Sequence, residues 1–131
     1  MPYLIDSDWV IDYLGSRPEA LRLLETLADE GVAISILTYM EIYQGVIQST
    51  QPEEVQDTLQ AFLDAVPIIP LSPSVARRCA HLREDLRLQG RRVNQRAIDL
   101  IIAATALEYD LILVTRNTRD YEDVPGLRTY A

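Results

Sequence analysis

The sequence contains no lysine: all 12 of its basic residues are arginine. That absence excludes a phosphoacceptor receiver domain, which needs a lysine beside the phosphoryl group. Histidine occurs once, as His81, so a mechanism built on a pair of histidines is closed. Cysteine also occurs once, as Cys79. No internal disulfide can form, and a reducing, cytoplasmic setting is expected. Long apolar runs are missing too. The longest, around Ile101 to Leu107, is far too short to span a bilayer, so no membrane is expected. Asp6 and Asp8 closely follow Met1 with no basic region, which argues against a secretory signal. No repeat, linker or low-complexity stretch interrupts the chain.

What is present suits one globular domain spanning residues 1–131, with 48% hydrophobic and 24% charged residues. A chain of this length buries about two-thirds of its unfolded surface and needs no covalent staple. The net charge is −8, so the whole-molecule field repels nucleic acid at long range. A generic binder working through backbone electrostatics is disfavoured. A metal enzyme is not, because bound divalent cations cancel part of an acidic cluster. The arginines are also unevenly placed. Arg77, Arg78, Arg83, Arg87, Arg91, Arg92 and Arg96 fall within one 20-residue stretch.

Short apolar segments alternate with helical periodicity. Strands are expected at Pro2–Ile5, Val32–Ile36, around Ile68 and Ile69, at Leu111–Thr115 and, at an edge, at Leu127–Thr129. The first helix is expected to be capped by Ser7 or Asp8 and to stop at Gly15. Pro18–Glu30 is helical, with Gly31 just past its end. Thr38 is expected to start a helix whose apolar residues are Met40, Tyr43, Val46 and Ile47. Pro52 to about Val66 forms another. Ser72 caps a helix with Pro73 at its first position, running to about Gln89. Arg96–Tyr109 is the most apolar helix. This alternation implies a parallel sheet covered by helices on both faces.

Ligands in such sheets lie beyond the carboxyl ends of the strands. Asp6 follows the first strand, Glu41 lies one helical turn after the second, and Asn117 and Asp120 follow the strand ending at Thr115. Asp99 opens the apolar helix before that strand. Four segments thus bring acidic or amide groups toward one edge. Magnesium and manganese ions prefer carboxylate and water oxygens. They also relieve repulsion between crowded carboxylates, activate water and neutralise charge on a phosphate. Each acid has a structural alternative: capping for Asp6 and Asp8, a capping box from Thr38 for Glu41, and a favourable helix-start charge for Asp99. Convergence of all of them is what favours the metal reading. Asp12, Asp29, Glu53, Glu54, Asp57, Asp64, Glu84, Asp85 and Glu108 read as solvated helix faces.

With these residues in view, the chain resembles the PIN-domain family, specifically the toxin half of bacterial VapBC toxin–antitoxin pairs, over essentially its full length. YLIDSDWVIDYL resembles the first motif and ISILTYMEIYQG the second. IDLIIAATALEYDLILVTRNTRDY resembles the third and fourth together and is the most specific signal. The resemblance implies a PIN-like three-layer α/β/α sandwich with a short-stranded, mostly parallel central sheet. It puts Asp6, Glu41 and Asp99 at metal-binding and catalytic positions, with Mg²⁺ or Mn²⁺ as cofactor. The fourth acidic position falls on Asn117, a departure, and Asp120 resembles the compensating acid of a TRN-x-x-D variant. Asp8 stands where many members carry Asn. Thr115 resembles a hydroxyl residue that orients a water or a carboxylate. The implied protein is a homodimeric endoribonuclease that cuts RNA and is neutralised by a VapB-like antitoxin.

Arg91, Arg92 and Arg96, together with Arg116 and Arg119, are candidate phosphate grips. Glu84 pairing with Arg87 is the alternative for the arginine run. Trp9, Tyr13, Tyr39 and Tyr43 fit core or interface packing better than base stacking. Cys79 and His81 read as structural. The rival function is an inactive PIN-fold module that binds RNA or protein. A flap-type DNA nuclease would need gripping elements for which the chain has no room.

Overall fold

The computed structural model describes residues 2–130; the expected span 1–131 includes Met1 and Ala131, which lie outside the described residues. In chain order the elements are β1 (Tyr3–Ile5), α1 (Ser7–Leu14), α2 (Pro18–Ala28), β2 (Val32–Ser35), α3 (Ile36–Gln48), α4 (Pro52–Ala65), β3 (Ile68–Ile69), α5 (Pro73–Leu88), α6 (Ala97–Glu108), β4 (Ile112–Val114) and β5 (Arg128–Thr129). Two 3-10 turns, Asn94–Arg96 and Thr118–Tyr121, precede α6 and follow β4.

The five strands lie in the order β3-β2-β1-β4-β5. Every pairing is parallel, so the expected sheet is parallel throughout. From β1 the chain winds outward through β2 and β3, then crosses back to place β4 on the other side. The switch point therefore lies between β1 and β4, where strand order reverses and a crevice opens at the carboxyl ends.

Side-chain alternation on the strands splits the core in two. Leu4, Ala33, Ile69 and Leu113 face α5 and α6. Ile5, Ile34 and Val114 face the opposite way, against Val10, Leu24, Leu27, Ile42, Val46, Leu59 and Phe62 of α1 to α4. Helix α6 is buried almost all round, from Leu100 through Ala106, which explains its run of alanine and isoleucine. Among the described residues no helix is long and apolar enough to cross a membrane.

Two expected helix starts move. Asp6, rather than Ser7 or Asp8, caps α1: it leaves the strand in extended conformation and its side chain accepts from the Ser7 N–H. Helix α3 begins at Ile36 rather than at Thr38, because Ser35 ends β2 and at once accepts the Thr38 N–H through its hydroxyl at 3.0 Å. Thr38, Ile42 and Val46 are buried, whereas Met40 is 48% and Ile47 68% exposed.

Candidate active site

The crevice at the switch point is built around Asp6. Its backbone N–H continues the sheet ladder to the Val114 carbonyl at 2.9 Å. Its carboxylate is buried and held at both oxygens: Oδ1 accepts the Ser7 N–H at 2.9 Å, and Oδ2 accepts the Thr115 hydroxyl at 2.7 Å. The same Thr115 oxygen accepts the Asn117 N–H at 3.1 Å. Thr115 thus orients the Asp6 carboxylate and also accepts from the turn that follows β4. The contact also ties the end of β1 to the end of β4.

Glu41 lies in the second turn of α3. The capping-box explanation for it fails on geometry: a capping box needs its acid at the third helical position, and Thr38 occupies that place. The Glu41 carboxyl sits above the ordinary glutamate range. Burial is the main cause, followed by the charge of Asp6; the Ser7 hydroxyl opposes the shift, and Asp99 and Asp8 add to it. Asp6 is raised as well, first by burial and then by Asp8 and Asp99, against the lowering effect of its hydrogen bonds to Thr115 and Ser7. Asp99, in the first turn of α6, accepts the Tyr121 hydroxyl at 3.3 Å. Tyr121 is buried, and its phenol is pushed far above its usual value by burial, then by the charges of Asp6 and Asp99, its hydrogen bond to Asp99, and Glu41.

Three expected acids from three elements, Asp6, Glu41 and Asp99, therefore feel one another's charge. Among the described residues, however, no group of three or more His, Cys, Asp or Glu side chains is gathered tightly enough to hold a metal ion as a finished cage. The arrangement is a set of repelling neighbours. Its donors are the hard oxygens that Mg²⁺ or Mn²⁺ prefers, and a cation would relieve the burial and repulsion that lift Asp6 and Glu41. By donor chemistry, these residues could hold such an ion.

Asn117 and Asp120 differ from this trio in exposure. Both are exposed on the segment after β4. Asn117 connects to Asp6 only through Thr115. The Asp120 carbonyl accepts from Arg96 at 2.7 Å. Arg96 is bound on both sides by Asp123, with two contacts of 2.7 Å. This corrects the reading of Arg96 as a phosphate grip: its guanidinium is committed to holding the loop after β4 against the start of α6. Arg116 is committed as well. It lies 3.9 Å over the Trp9 ring and pairs with Asp12 at 2.7 Å. Asp12 is therefore an ion-pair partner rather than a solvated face, and Trp9 packs against a cation. The Arg87–Glu84 pair forms as expected. Cys79 is buried and its thiol is raised by burial, as suits a structural residue. Sequence reasoning missed Tyr121 and Asp123. Tyr121 follows Asp120 directly, and a tyrosine inside an acid-rich loop was the available signal; Asp123 gave none.

A model of the PIN domain matches residues 3–127. The chain belongs to the PIN-domain family. Its relatives include the tRNA(fMet)-specific endonuclease VapC of Shigella flexneri, 30% identical over 98% of this chain and 96% of that protein. The ribonuclease VapC2 of Haemophilus influenzae is 32% identical over 98% of this chain and 96% of that protein. Among solved structures, that of VapBC2 from Rickettsia felis bound to a DNA fragment from their promoter superposes with a TM-score of 0.86. It is 28% identical and covers 99% of this chain and 98% of that one.

Proposed function

We propose that this protein is a Mg²⁺- or Mn²⁺-dependent endoribonuclease, the toxin of a type II toxin–antitoxin pair, with residues 1–131 forming a single PIN domain. The observation that carries this reading is the electrostatic contact among Asp6, Glu41 and Asp99 at the switch point of a PIN fold. Relatives named as ribonucleases match almost the whole chain. An inactive binding module is disfavoured by both facts, since three crowded, partly desolvated carboxylates cost stability that a binding role alone does not require.

In this mechanism Asp6, Glu41 and Asp99 would hold the cation, with Asn117 or Asp120 as a further oxygen donor. The ion supplies Lewis-acid chemistry, activating water and neutralising charge that develops on a phosphate oxygen. Thr115 and the Ser7 N–H fix the Asp6 carboxylate so that its remaining lone pairs are aimed and need no reorganisation. The Tyr121 hydroxyl does the same for Asp99. Its raised pKa keeps the phenol protonated, so it serves as a donor at neutral pH.

The proposed partners are an RNA substrate, a VapB-like antitoxin and a second copy of the chain, and the proposed compartment is the cytoplasm. Purified protein is expected to cut RNA when Mn²⁺ or Mg²⁺ is added and to stop when EDTA removes it. Asp6→Asn and Asp99→Ala should each lower the rate by about 10²–10³-fold or more. Equal cleavage by the unaltered protein and Asp6→Asn would refute the reading.

A further inference from the structure

Beside the acid edge lies a polar cleft of about 370 Å³, lined by Arg91, Arg96, Arg119, Asp120, Glu122 and Asp123. Its three guanidiniums are not equivalent. Arg96 is bound to Asp123 and to the Asp120 carbonyl. The side chains of Arg91 and Arg119 have no hydrogen-bond or ion-pair partner among the described residues, and both are exposed. Elsewhere in the arginine run, Arg78 is held by Glu108, Arg83 by Asn94 and the Val93 carbonyl, and Arg87 by Glu84. Arg77 and Arg92 likewise have no such partner among the described residues, but they do not line this cleft, whereas Arg91 and Arg119 both open onto it.

The cleft adjoins the acid edge. Asp120 lines it, and the next residue, Tyr121, reaches Asp99. We propose that the cleft binds a backbone phosphate of the RNA strand next to the cleaved bond, with Arg91 and Arg119 as the two grips and Arg96 as the fixed strut that holds their loop. The proposal rests on the ribonuclease reading and names where that substrate's backbone is held.

Three arguments support this choice. A guanidinium presents paired N–H donors that match two phosphate oxygens. A chain of net charge −8 cannot hold RNA through its overall field, so affinity must come from local, uncommitted cations. Arg96 neutralises Asp123, and Asp120 and Glu122 balance Arg91 and Arg119. The cleft is therefore no general anion trap, and its grip depends on directed hydrogen bonds.

The test is direct binding of a fluorescein-labelled short single-stranded RNA, read by anisotropy at several salt concentrations. An Asp6→Asn background keeps the RNA intact. Arg91→Ala/Arg119→Ala is compared with Arg17→Ala/Arg22→Ala, which removes the same charge from the exposed start of α2. The cleft pair should weaken binding at least tenfold. It should also flatten the slope of log affinity against log salt by about 0.7 for each phosphate no longer gripped. The α2 pair should change neither by a comparable amount. Equal weakening in the two variants, no weakening in the cleft variant, or no RNA binding by the parent protein would overturn the proposal. Because binding is read without cleavage, a failure of the nuclease assay remains a separate result.

Discussion

Asp6 and Asp123 are the same residue type, both are largely shielded from solvent, and they titrate in opposite directions. Asp123 faces the Arg96 fork, which holds its carboxyl below the usual aspartate range. Asp6 has two hydrogen bonds but no paired cation among the described residues, and burial with nearby acids lifts it. One carboxylate secures the fold and the other is held ready at a cost to it. The difference separates a structural ion pair from a proposed metal-holding acid more clearly than burial alone does.

The largest effect should come from breaking the structural side. In the Arg96–Asp123 pair the side chains are only 21% and 17% exposed. Arg96→Ala strands a desolvated carboxylate and frees the Asp120 carbonyl. We expect a loss of about 2 kcal/mol and a drop in Tm of several degrees by calorimetry. The lowered pKa of Asp123 gives stability that is present above the unfolded carboxylate value near ~4 and disappears as pH falls through the folded value. Arg96→Ala should erase that acid-side loss. An unchanged Tm would mean the pair is ornamental.

A smaller effect of opposite sign is expected on the functional side. The raised pKa of Asp6 makes its stabilising contribution fullest below the unfolded value and removes it as pH rises through the folded one. In EDTA at neutral pH, Asp6→Asn should therefore melt a few degrees above the unaltered protein. Saturating Mn²⁺ should reverse the order by binding the folded unaltered protein. If Asp6→Asn is less stable in EDTA, the contrast with Asp123 fails. The smallest effect belongs to the exposed Arg87–Glu84 pair. Glu84→Gln should leave Tm unchanged, since exposed pairs gain little over water.

Much of this contrast was legible in the sequence, and part was not. Strand–helix alternation gave the parallel sheet, and the carboxyl ends of its strands located Asp6, Glu41 and Asp99. The start of α3 was misread because Ser35 is both the last strand residue and the helix cap, two roles that single-residue signals cannot separate. The commitments of Arg96 to Asp123 and of Arg116 to Asp12 depend on long-range geometry, which composition and spacing do not carry. Two of the candidate phosphate grips, Arg96 and Arg116, are therefore already engaged.

The Thr115–Asp6 hydrogen bond joins residues 109 positions apart. During synthesis β1 leaves the ribosome well before its neighbour β4. Until then, Asp6 lacks the hydroxyl that aims it, Asp99 lacks Tyr121, and the crevice has only one wall. The nascent chain therefore cannot form the finished crevice until β4 and the turn after it have emerged.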